Sequence, residues 1–173
     1  MDEIILVDAL DRPAGSAEKM AAHRRPMLHR AFSIFLYDGD RILLQKRAAG
    51  KYHSGGLWGN SCCSHPRAGE ELLPAAHRRL TEELSCDCPL EEIGSFVYFH
   101  RFADDLFEYE YDHVLIGAYA GPVQADPREI EEVKWCAAEE IMAGLLSRPE
   151  EYCAWFRTAA PMVFRRLQEK GAL

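Results

Sequence analysis

The segment Asn60-Ser61-Cys62-Cys63-Ser64-His65-Pro66 packs two thiols and an imidazole among small polar residues. A thiol can give or take a proton, and an imidazole can hold a metal. Against that, a free cysteine more often fills a core. A second pattern is Phe107-Glu108-Tyr109-Glu110-Tyr111. In a strand, the period of two puts Glu108 and Glu110 on one face and the aromatics on the other. Carboxylates ~7 Å apart on one face repel unless solvated, protonated or bound to a cation. The plainer alternative is a half-exposed strand, acidic outside and aromatic inside. His23 and His29 flank Arg24-Arg25-Pro26, where Pro26 lets the chain turn back. Carboxylates and imidazoles together suit Mn²⁺, Mg²⁺ or Zn²⁺. His53, His77, His100 and His113 fit no such pattern.

A third cluster lies on the clearest helix, Glu70 to Leu84, where Leu72, Leu73, Ala76, Leu80 and Leu84 fall at helical spacing. Arg79 and Glu83 are i,i+4 neighbours on it. A helix that carries carboxylates after a glycine-rich lead can hold Mg²⁺ against a diphosphate. Lys19, Arg47, Lys51, Arg78 and Arg79 are cations available for that anion.

Other elements must position these groups. Ile4-Ile5-Leu6-Val7 reads as a strand. Ser16 is a candidate cap for a short helix reaching Ala21-Ala22. Apolar runs at 30–37 and 41–45, joined by Asp38-Gly39, predict a hairpin. Residues 47–56 read as a loop and 57–63 as a short strand. Segments 93–101 and 106–119 predict a second hairpin across Ala103-Asp104-Asp105. A strand at 131–136 and helices at 138–146 and 150–170 complete the chain. Strands and helices mix without strict alternation, so the expected class is α+β, a mixed sheet sandwiched by helices.

The 173 residues suit one domain, 1–173, with 48% hydrophobic and 28% charged residues. Net charge −8 argues against general binding to nucleic acid or an anionic membrane. No apolar run approaches the ~18 residues of a membrane span. Met1-Asp2-Glu3 lacks a basic leader, and the six cysteines form no CxxC pair. A cytoplasmic protein with reduced thiols is expected.

The helix and its lead, Ser64 to Cys86, resemble a degraded Nudix box: Glu70, Arg78, Leu80, Glu82 and Glu83 match, while Ser64, Arg79 and Ser85 depart. Those departures, the Asn60–Pro66 loop, Glu108-Tyr109-Glu110, Glu18-Lys19-Met20-Ala21-Ala22-His23 and the run Leu28 to Ser33 resemble type I isopentenyl-diphosphate isomerase. Four motifs in order, spanning about residue 4 to Trp155, make the resemblance specific. It implies a Nudix-like fold and a metal-dependent enzyme that moves a double bond between isopentenyl and dimethylallyl diphosphate in isoprenoid synthesis. By the resemblance, His23, His29, His65, Glu108 and Glu110 would bind one divalent metal, Mn²⁺, Zn²⁺ or Mg²⁺. Cys63 and Glu110 would handle protons, with Tyr98 beside the glutamate. Glu83 would help bind Mg²⁺ with the substrate's diphosphate. Lys19, Arg47, Lys51 and Arg79 would contact that diphosphate, and Trp155 would cover the hydrocarbon.

Two other readings compete. A Nudix hydrolase of a nucleoside diphosphate derivative would use the helix carboxylates alone, and Arg79 counts against it. A non-catalytic metal-binding scaffold would not need Cys63. Oligomeric state carries no sequence signal, and Asp112 continues the Glu108/Glu110 face either as a further partner of those groups or as a solvent-exposed acid.

Overall fold

The structure is a computed structural model that describes residues 3–102 and 105–173. Strands β1 (Glu3–Val7) and β2 (Pro13–Glu18) pair antiparallel. Helix α1 (Lys19–Arg24) follows directly. Its cap is Glu18, whose carboxylate accepts from the Met20 and Ala21 N–H groups, not Ser16. Ser16 lies in β2 opposite Ile5, and its hydroxyl donates to Glu3. Pairing with the apolar β1 therefore overrides the local helix signal at 16–18.

Strand β3 (His29–Asp38) is the hub. It pairs antiparallel with β1, with β4 (Arg41–Arg47) and with β6 (Cys62–Ser64). The expected hairpin at Asp38-Gly39 is present, with Gly39 at φ +57°. The strand expected over 57–63 is broken into β5 (Trp58–Gly59) and β6. Between them, Asn60 and Ser61 turn their side chains onto backbone. Asn60 donates to the Ile34 and Cys62 carbonyls; Ser61 accepts from Leu36 N–H and donates to the Leu43 carbonyl.

Helix α2 spans Leu72–Leu84, starting after Glu70, which is engaged by the Arg67 N–H and Arg78. Strands β7 (Glu91–Arg101) and β8 (Phe107–Ala118) form the second hairpin; Ala103 and Asp104 of its connection lie outside the described residues. β8 also runs parallel to β3, from His29 opposite Glu110 to Tyr37 opposite Ala118. β9 (Ile130–Ala137) pairs with β4. Helix α3 (Ala138–Ser147), a single 3-10 turn at Pro149–Glu151 and α4 (Ala154–Glu169) end the chain.

The strands join in one mixed, nine-stranded sheet. Alternation along β3 feeds two cores. Phe32, Ile34 and Leu36 pack with Leu80 and Leu84 of α2. Phe35 packs with Phe156, Ala160 and Val163 of α4 on the other side. Helices thus cover both faces, as the sequence predicts, and β3 and β8 are buried between them.

Candidate active site

Glu108 and Glu110 point inward from β8, 2% and 7% exposed, while Tyr109 and Tyr111 on the opposite face are half-buried. This reverses the plain expectation of acids outside. The reason lies across the strand, where three buried imidazoles meet the two carboxylates. β3 sets His29 beside Glu110, α1 supplies His23, and the turn after β6 supplies His65. His23 Nε2 lies 3.3 Å from Glu108 Oε1. His29 Nε2 lies 3.6 Å from Glu110 Oε1 and 3.2 Å from His65 Nε2. His65 Nε2 lies 2.8 Å from Glu110 Oε1. One ligand atom from each of the five lies within 4.8 Å of the others.

Backbone contacts fix the tautomers. His23 Nδ1 donates to the Lys19 carbonyl at 2.6 Å, and His29 Nδ1 donates to the Met27 carbonyl at 2.8 Å. A carbonyl only accepts, so in the neutral rings both Nε2 atoms present lone pairs to the cluster. Lone pairs facing carboxylate oxygens need a cation between them, and the buried Glu108 Oε2 has no hydrogen-bond partner. Three imidazoles and two carboxylates suit a divalent ion. Without one, burial and then the neighbouring Glu110 push Glu108 up to about 8. Burial also opposes the charge of Glu110, but the His29 and His65 imidazoles against it outweigh that and hold Glu110 well below the usual range. Burial takes His65 well below its ordinary value. It takes His53 to about 3, with Arg47 acting in the same direction.

A cavity of about 130 Å³ opens beside this cluster. Cys63, His65, Tyr98, Glu108, Glu110 and Trp155 line it, together with Lys19, Arg47, Lys51 and Arg79. Tyr98 donates to Glu110 Oε2 at 2.7 Å. Burial raises the Cys63 thiol against the pull of Arg47, whose Nη1 donates to its sulfur at 3.7 Å, so the thiol is protonated at neutral pH. The Arg47 guanidinium also lies over the Trp155 ring, 5.3 Å from its centroid. Trp155 is 4% exposed, and its Nε1 donates to Asn60 Oδ1 at 3.0 Å.

Glu83 stands apart from this group. It lies in an adjoining recess with Glu82, Asp126 and Glu129, where burial raises its pKa and Arg79 pairs with it. Arg79 and Glu129 border both spaces. Lys51 donates to Glu129 at 2.5 Å. Sequence reasoning missed Glu129 and the pair Tyr52-His53, which also line the cavity. They lie in or beside loops without periodicity, and only their position in the fold reveals them.

The NUDIX domain family profile matches residues 27–156. The chain is 51% identical to "Isopentenyl-diphosphate Delta-isomerase 2" of Photorhabdus laumondii, over 91% of this chain and 90% of that protein. It is 48% identical to a protein of the same name from Aromatoleum aromaticum, over 99% and 92%. The chain belongs to the isopentenyl-diphosphate Delta-isomerase family. Solved structures agree on the fold. DR0079 from Deinococcus radiodurans aligns with TM-score 0.77 at 18% identity, over 92% of this chain and 98% of that one. The NUDIX domain of Shewanella oneidensis NrtR, solved with ADP ribose, aligns at 0.62 and 17%, over 81% and 87%.

In this isomerase-family chain the Nudix helix is α2, and its departures have local explanations. Arg79, at a box glutamate position, pairs with Glu83 and with Glu82 at 2.8 Å. Arg78 grips Glu70 through two bonds of 2.7 Å. Ser85, where the box has glycine, caps the helix at φ +52°. Among the described residues, no helix is long and apolar enough to cross a membrane.

Proposed function

We propose that this chain interconverts isopentenyl and dimethylallyl diphosphate by adding a proton to one alkene carbon and removing one from another. One observation carries the reading: a thiol and an anchored carboxylate face a single cavity rimmed by cations. Relatives with this printed name, about half identical along most of the chain, support it.

An alkene is a very weak base, so its proton donor must be well aimed and water must be kept away. Cys63 and Glu110 are the two proton-exchanging groups, their roles set by which diphosphate is bound. Tyr98 holds the Glu110 carboxylate in one orientation. Protonation leaves a tertiary carbocation, and the indole face of Trp155 is the group that stabilises it, by up to a few kcal/mol when desolvated. Lys19, Arg47, Lys51 and Arg79 bind the diphosphate. When bound, a divalent ion (Mn²⁺, Zn²⁺ or Mg²⁺) on His23, His29, His65, Glu108 and Glu110 tunes the acidity of Glu110, and Mg²⁺ beside Glu83 neutralises the diphosphate. The partner is thus a small diphosphate rather than nucleic acid or membrane. The six free thiols suit a reducing compartment, the cytoplasm.

Proton NMR of the metal-loaded protein with isopentenyl diphosphate and Mg²⁺ in deuterated water tests this. Deuterated dimethylallyl diphosphate is the expected product. Release of phosphate would instead favour a hydrolase.

A further inference from the structure

His53 belongs to none of the sequence motifs, yet its ring sits against the metal-site carboxylate. It is 8% exposed, and its Nε2 abuts Glu108 Oε1 without the alignment of a hydrogen bond, so this buried nitrogen and Glu108 Oε2 both stand without a hydrogen-bond partner. An ionised, metal-bound carboxylate only accepts, so an Nε2 that serves it must carry the proton and leave Nδ1 as the acceptor. The Ser54 hydroxyl, 3.2 Å from Nδ1, is the matching donor. Ser54 holds that place from a left-handed backbone, φ +52°, which a serine adopts only at a cost. In that role His53 is the opposite tautomer of His23 and His29, whose Nδ1 atoms donate to carbonyls and whose Nε2 atoms are free to ligate. Oriented this way, the ring is suited to donate rather than to coordinate. The same ring stacks on Phe102, centroids 4.5 Å apart and 14° between planes, and meets Trp155 edge-on at 5.8 Å. Nothing else among the elements around it needs a buried imidazole; a phenyl ring would fill the stack.

We propose that His53 is a positioning residue for Glu108, donating from Nε2 to hold that carboxylate in its metal-binding orientation while Ser54 fixes the tautomer. The proposal rests on the five-ligand metal site and extends it to a group outside the ligand set. Removing a partner that orients a metal ligand typically weakens metal binding about tenfold to a hundredfold.

Two substitutions separate the hydrogen bond from the stack. His53→Phe keeps the ring and loses the donor. His53→Gln keeps a donor near the Nε2 position and loses the ring. Zn²⁺ affinity, read by competition with a chromophoric chelator, is expected to fall about tenfold to a hundredfold in His53→Phe and to stay within about threefold in His53→Gln. Ser54→Gly, which suits the left-handed backbone, is expected to weaken Zn²⁺ binding in the same direction by less, and it decides the matter if His53→Phe fails to fold. Unchanged affinity in both His53→Phe and Ser54→Gly, or an equal loss in His53→Phe and His53→Gln, overturns the proposal. Failure of the unsubstituted chain to bind Zn²⁺ overturns the metal site itself and this inference with it.

Discussion

The parallel pair of β3 and β8 is one continuous ladder with two different interiors. At its beginning, His29 and Glu110 face each other, followed by Ser33 and Asp112 joined at 2.8 Å, all buried. Toward its end, Ile34 lies opposite Leu115 and Phe35 opposite Ile116, each at most 1% exposed. Backbone pairing is the same throughout, so the difference lies in what burial does to the side chains. Each apolar residue gains roughly 1.5–3 kcal/mol from leaving water. Each carboxylate loses solvation that only donors or a cation restore. The apolar half stabilises the sheet, and the polar half, which the proposed reaction uses, is carried by it.

The widest separation between the halves is expected in activity. Cys63→Ser and Glu110→Gln should fold normally by circular dichroism and lose about 10³-fold or more of the isomerisation rate followed by NMR. Normal turnover by both would remove them from the site. Stability should show the opposite pattern. Leu115→Ala, in the apolar half, is expected to cost about 2–5 kcal/mol in urea unfolding. Glu108→Gln in chelator should cost far less, because burial and Glu110 already disfavour the charge it removes. A smaller effect is expected at the cavity rim. Arg79→Gln should raise KM for the diphosphate roughly tenfold to a hundredfold with less change in kcat, from loss of a charged hydrogen bond.

The smallest effect is a pH slope in the metal-free chain. Glu108 is raised to about 8 when folded, from an ordinary 4.5. The folded state therefore binds the extra proton between those values, and this stability is lost as pH rises toward 8. His53 and His65 are lowered by burial, so they act in the opposite sense, but only below the ordinary histidine range of about 6.5. Between pH 6.5 and 8, the melting temperature in chelator should fall, and Glu108→Gln should flatten that fall. Metal-loaded protein should not show it, because the ion replaces the proton.

These two halves were not equally legible from the sequence. The apolar half reads directly from its runs of Phe, Ile and Leu, and the α2 stripe from its helical spacing. Glu108 and Glu110 share a face by strand geometry alone, but which face is buried depends on His23, His29 and His65 arriving from three other elements. That is a tertiary fact with no local trace; the family resemblance supplied the ligand set. The same holds for Ser16, where neighbouring β1 decided strand over helix, and for Asn60 and Ser61, whose backbone bonds broke one expected strand into two. His53 fits no sequence pattern because loop residues carry no period, and only the fold sets it against Glu108.

The ladder also governs the order of events during folding. Ser33 and Asp112, bonded in the finished sheet, are 79 positions apart in sequence. Closing so long a loop is slow, and contacts of this kind form late. His29 cannot meet Glu110 until that parallel pairing is made, so the complete ligand set exists only in a chain that has already assembled its central sheet. Under the proposed metal site, ion uptake is then a timer for maturation: a newly made chain would lack the complete cluster until its most distant segments have found one another.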